Sequence, residues 1–182
     1  MFEPNRHRYT LPAIALHWLL ALGLIGTFAM GLYMSDLPLS PQRLRLYNWH
    51  KWAGICILLL TLLRLGWRLK SPPPPLPQAV MLAMPDWQRI VMHATHHLLY
   101  LMCLVVPLVG WAYSSAAGFP VVLFGLWQLP DFVPVGKALA ELIKPWHEAT
   151  AWLLVALVLL HVAGVVKHVV FERDGLFRRM WP

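Results

Sequence analysis

Four stretches of the chain are apolar and long enough to cross a bilayer as helices, and charged residues mark where each one ends. From Tyr9 to Ser35 no residue is charged, which predicts a first span over about 11–33. It is longer than a signal-peptide core and no clear A-x-A site follows, so it reads as a retained helix. A second span over about 49–69 is less regular. Only residues 52–63 are free of charge, a rise of about 18 Å, so Lys51, Arg64 and Arg68 must snorkel to the interfaces to complete it. The third runs over about 89–113, with Pro107 expected to kink it. The fourth covers about 146–170, where residues 149–166 carry no charge.

Between the spans the pattern breaks in recognisable ways. "SPPPPLP" at 71–77 predicts an extended connector, and Met84-Pro85-Asp86 a helix start. Residues 114–144 are punctuated by Gly and Pro and carry Phe119, Phe124, Trp127 and Phe132. An interfacial loop is expected there, with a short helix near 135–144. The expected fold class is therefore all-α: a transmembrane four-helix bundle, residues 1–182 forming one integral-membrane domain.

Composition strengthens this picture. Of 182 residues, 59% are hydrophobic and 13% charged, against about 25% charged in soluble domains. The net charge of +7 suits membrane orientation and anionic lipid, and no basic run interleaved with aromatics points to nucleic acid. Ten Lys and Arg flank the side holding both termini and the 64–89 connector, against five (Arg43, Arg45, Lys51, Lys137 and Lys144) on the other. This bias predicts N- and C-termini in the cytoplasm of a multi-pass membrane protein. Arg64, Arg68 and Lys70 read as lipid-headgroup anchors, and tryptophans such as Trp49, Trp67, Trp127 and Trp146 lie near span ends, as an aromatic belt does. Cys56 and Cys103 lie in apolar stretches outside any CxxC or CxxCH motif and read as packing thiols.

The nine histidines change the picture most. His17 lies early in span one, on the cytoplasmic side, and His50 at the periplasmic start of span two. His147 is periplasmic and His161 lies fourteen residues deeper, about 21 Å along the helix and within about 40° of the same face. By depth, His50 pairs with His147 and His17 with His161. A lone membrane histidine is most often a hydrogen-bonded core residue. Four that pair by depth on three helices point instead to two irons, each clamped by two imidazoles. Two b-type haems fit, because covalent attachment motifs are missing and each level offers two ligands rather than a tetrahedral zinc set. His93, His96 and His97 open span three, and His168 follows His161 by one heptad. They read either as interfacial polar residues or as a protonatable cluster beside the inner pair, suited to a quinone that takes up protons on reduction. His7 reads as a solvated tail residue.

"ALHWLL" around His17, "NWHKWAGICILLLTLLRLGWRLKSPPPP" from His50, "HATHHLLYLMCLVVPLVGW" in span three and "PWHEATAWLLVALVLLHVAGVVKH" resemble the bacterial cytochrome b561 family. The likeness covers about residues 9–182. It implies a four-helix, di-haem inner-membrane protein, with His17 and His161 on one haem and His50 and His147 on the other. It further implies a relation to superoxide oxidases, which pass electrons from superoxide to ubiquinone, and puts His168 near bound quinone. The basic connector offers Arg89 there, with no lysine after Lys70.

The expectation is transmembrane electron transfer through two haems b, from periplasmic superoxide to ubiquinone, with Arg89, His93, His96 and His168 as the candidate quinone and proton site. A positive outer surface would aid capture of an anion. The five outer cations face Asp36, Asp131, Glu141 and Glu148, so only a local patch of Arg43, Arg45 and Lys51 offers this. The alternative is a membrane-anchoring cytochrome b subunit that binds a dehydrogenase or hydrogenase partner, for which the aromatic 114–144 loop would be the docking surface. A third reading is a haem-free bundle that uses its histidines to move protons.

Overall fold

The computed structural model describes residues 8–182, so Arg6 and His7 lie outside the described residues. Four long helices dominate: α1 (Leu11–Asp36), α2 (Pro41–Lys70), α4 (Asp86–Ala116) and α5 (Lys137–Val166), with a short α3 (Gln78–Ala83) before α4. All four long helices are apolar and long enough to span a membrane. Each starts where the chain supplies a start signal. Pro12 stands in the first turn of α1 and Pro41 in that of α2, where a missing N–H costs nothing. Ser40 caps α2, its Oγ accepting from Arg43 N at 3.2 Å. The connector 71–77 is non-helical, as its prolines require.

Two features differ from expectation. Residues 135–144 do not form a separate short helix: α5 begins at Lys137 and runs unbroken through Pro145. Its packing along α4 outweighs the local cost of the proline. The loop before it folds into a two-stranded antiparallel hairpin, β1 (Val122–Leu123) with β2 (Trp127–Gln128). At its tip Phe124 and Gly125 take positive φ, 53° and 73°. The hairpin is tied to α2 just beyond His50. Lys51 Nζ donates to the carbonyls of Phe119 and Pro120 at 3.3 and 3.2 Å, and Trp52 Nε1 to that of Val122 at 2.6 Å.

The close helix pairs are α1 with α2, α2 with α4, and α4 with α5. Neither α1–α5 nor α2–α5 is among them, so α5 faces α1 and α2 through side chains rather than tight backbone packing. The central core cluster is Met102, Cys103, Leu154 and Leu157, backed by Leu24, Leu99 and Val158 among others. Leu154 stands midway between His147 and His161, so an apolar layer separates the two histidine levels. Large side chains such as Leu22, Ile25, Leu63 and Leu159 point outward, as lipid-facing surface does.

At the other end of the bundle from the hairpin, three segments close together. Tyr9 N donates to Arg179 O at 3.2 Å and Trp18 Nε1 to Met180 O at 2.8 Å. Arg179 reaches the carbonyls of Pro74 and Pro75 at 2.6 and 3.0 Å. The described start of the chain, the proline connector and the C-terminal turn therefore share one end, whose helices also carry His17, His96 and His161.

Candidate functional site

The four histidines paired by depth meet in those pairs. The ring centroids of His50 and His147 are 6.2 Å apart at 89°, and those of His17 and His161 are 6.2 Å apart at 71°. Two imidazole nitrogens bonded to one iron at about 2 Å, each about 1.2 Å from its ring centre, put the centroids about 6.4 Å apart. Both separations thus fit one metal ion between the rings. Each pair also bridges helices that do not pack tightly against each other, which is where a flat prosthetic group has room.

The outer pair is oriented from behind. His50 Nδ1 lies 3.1 Å from Thr27 O and His147 Nδ1 3.2 Å from Val106 O. A carbonyl only accepts, so each Nδ1 carries the proton and leaves the Nε2 lone pair for a ligand, the usual support of a metal-bound imidazole. Two glycines give these rings their place. A Cβ on Gly31 would stand 3.2 Å from His50 Cε1, and one on Gly110 only 2.8 Å from His147 Cε1.

At the inner level a third imidazole joins the pair. His96 and His161 have ring centroids 5.1 Å apart, more than 1 Å short of the spacing for a shared iron. His96 Nδ1 is already bound to Met92 O at 2.7 Å. His17 and His161 make no hydrogen bond among the described residues, so both rings keep their nitrogens open. His93 and His97 are exposed on the outer side of the same turn, His97 Nδ1 bonding His93 O at 2.7 Å. Only His96 of the three turns toward the pair.

His168 belongs to a separate polar cluster. Beyond Val166 the helix loosens into a π-turn, Lys167–Glu172, a form common at functional sites. Arg173 then adopts φ 50° and reverses the chain, bringing Asp174 back onto the turn. His168 Nδ1 stands 2.5 Å from Glu172 Oε2 and 2.6 Å from Asp174 Oδ2. Lys167 Nζ pairs with Glu172 Oε1 at 2.8 Å and donates to Gln88 Oε1 at 2.6 Å. That last bond fastens the cluster to the start of α4, where Arg89 is paired with Asp86. Glu172, Asp174, Lys167 and Gln88 escaped sequence reasoning, although His168 and Glu172 stand at the i, i+4 spacing that makes helical neighbours.

A four-helix membrane bundle with imidazole pairs at two depths, each spaced for one iron, fits a membrane cytochrome of the b type. The chain belongs to the prokaryotic cytochrome b561 family, whose model matches residues 8–182. It is 31% identical to cytochrome b561 homolog 2 of Escherichia coli K12, over 98% of this chain and 94% of that protein. It is 28% identical to the probable superoxide oxidase CybB of Yersinia pestis, over 96% of each, and 28% identical to cytochrome b561 homolog 1 of Escherichia coli K12, over 97% of this chain and 98% of that protein. The protein is therefore a multi-pass bacterial membrane protein that binds b-type haem and carries electrons across the membrane.

Proposed function

We propose that the chain holds two haems b and passes electrons from superoxide outside the cell membrane to ubiquinone within it. His50 and His147 hold the outer haem and His17 and His161 the inner one, with both termini in the cytoplasm. The observation that carries the reading is the pair of equal 6.2 Å separations, one near each end of the bundle. Bound haem supplies reversible one-electron chemistry at each level. The protein fixes the rings, and the apolar layer around Leu154 keeps water from between the levels.

Two superoxide anions each give up one electron and leave as dioxygen, and the two electrons with two protons convert ubiquinone to ubiquinol. Arg43 and Arg45 remain the outer cations best able to draw in an anion, since Lys51 is held by loop carbonyls. At the inner end His168 is the proton donor, kept oriented by Asp174 and Glu172 and resupplied from the aqueous side. His96 stands at the inner level beside His161, and Arg89 and His93 lie on the first turns of α4. Similarity along almost the whole chain to a probable superoxide oxidase supports superoxide as the donor.

The test is reduction of a ubiquinone analogue by enzymatically generated superoxide, using the purified chain in liposomes. Quinol formation that superoxide dismutase abolishes supports the reading. Failure of the pure chain to reduce quinone, together with co-purification of an iron–sulfur subunit, would replace it with the anchor-subunit reading.

A further inference from the structure

Two arginines in the inner half of α2 bring positive charge to the bundle without an acidic partner. Arg64 Nε donates to Tyr100 Oη at 2.9 Å and its Nη1 to Ala13 O at 3.3 Å. Arg68, one turn on, lies over the same Tyr100 ring, 5.6 Å from its centroid, with Arg64 at 5.8 Å. Among the described residues neither arginine forms an ion pair, and Arg68 makes no hydrogen bond. An unmatched cation in an apolar span is costly, so such residues face a partner inside the protein or reach the headgroups.

Arg64 does not reach for the headgroups. Its two bonds go to α1 and α4, across the bundle. It follows His50 by fourteen residues, the interval that separates His147 from His161. It therefore stands at the inner depth, on about the face of α2 that carries His50. Ala13, which it bonds, is one turn before His17.

We propose that Arg64 and Arg68 anchor the two propionate carboxylates of the inner haem; this rests on the two-haem reading above. Haem b brings two carboxylates on one edge, and two guanidiniums spaced by one helical turn, about 6 Å, meet them with matching charge. The planar fork of arginine suits a carboxylate better than an ammonium does. Tyr100 keeps both heads in place, one through its hydroxyl and both across its ring. Arg64 supplies the charge at the depth of the iron, and Arg68 the charge one turn closer to the cytoplasm.

The test uses the full chain purified in detergent, as wild type, Arg64→Gln, Arg68→Gln and Arg64→Lys, with haem counted by pyridine haemochrome and both haems followed in an optical redox titration. Arg64→Gln is expected to lower the midpoint potential of the inner haem alone and to speed its loss to a haem-scavenging globin about tenfold, the equivalent of about 1.4 kcal/mol. Arg68→Gln should act in the same direction, and Arg64→Lys should restore the potential more than the retention. Two haems with wild-type potentials and wild-type retention in both Gln variants would overturn the proposal, even if quinone reduction fell. Arg64→Lys keeps the test open if Arg64→Gln does not fold, because unchanged haem retention in it would contradict a site built on the fork. A wild-type chain with one haem would instead remove the two-haem reading, and this proposal with it, whatever the arginine variants did.

Discussion

Gly110 lies against His147 so closely that a Cβ at position 110 would stand 2.8 Å from the imidazole Cε1. The glycine lies inside α4, about two turns from its end, where it weakens the helix by roughly 1 kcal/mol relative to alanine. Its place is explained by the ring it admits. Gly110→Ala should therefore raise helix propensity yet remove most of the outer haem, read as loss of one of two haems in a haemochrome count. Gly31→Ala, with 3.2 Å to His50, should have the same sense and a smaller effect. Full haem content in Gly110→Ala would show that His147 does not need this position.

The inner level offers three imidazoles, and spacing separates the proposed ligands from the neighbour. His17→Ala should abolish the low-spin bis-imidazole signal of the inner haem. His96→Ala should leave that signal in place, because His96 sits too near His161 to share an iron with it. Electron paramagnetic resonance of the oxidised protein distinguishes them. The opposite pattern would exchange the roles of His17 and His96.

Much of this was legible along the chain and some was not. Charge-free lengths located the four long helices, and a fourteen-residue interval on one of them sorted the histidines by depth. Both follow from helical rise and turn, which tertiary packing does not alter. The role of Pro145 was hidden, because a proline between the charged Lys144 and the uncharged span resembles a helix boundary while the packing of α5 on α4 carries the helix through it. The inward turn of Arg64 was equally hidden: its partners Ala13 and Tyr100 lie 51 and 36 residues away on other helices. Asp174 reaches His168 only through the left-handed turn at Arg173, which no local signal announced.

On the proposed reading, removing the His168 imidazole should slow quinone chemistry without touching the haems. His168→Ala should lower superoxide-driven quinone reduction about a hundredfold, the low end of what a positioned acid contributes, with the haemochrome count unchanged. Asp174→Asn should follow with a smaller loss, since Glu172 still faces the same Nδ1. Stopped-flow mixing of the pre-reduced protein with quinone isolates the step. Normal rates in both variants would move proton delivery elsewhere.

The hairpin is held to α2 by a few polar contacts, so loosening them should be local. Trp52→Phe removes the donor to Val122 O, worth about 1 kcal/mol, and Lys51→Ala removes two more bonds. The double variant should exchange amide hydrogens faster in residues 119–129 and leave α4 and α5 protected. Unchanged exchange in the loop would mean that the hairpin holds itself.

The most direct measurement is the haem count of the purified chain, by pyridine haemochrome with reduced-minus-oxidised spectra, in wild type, His147→Ala and His161→Ala. The arrangement of the imidazoles predicts two b haems per chain, with His147→Ala removing mainly the outer and His161→Ala mainly the inner. A single haem indifferent to both substitutions would contradict the pairing of His50 with His147 and of His17 with His161.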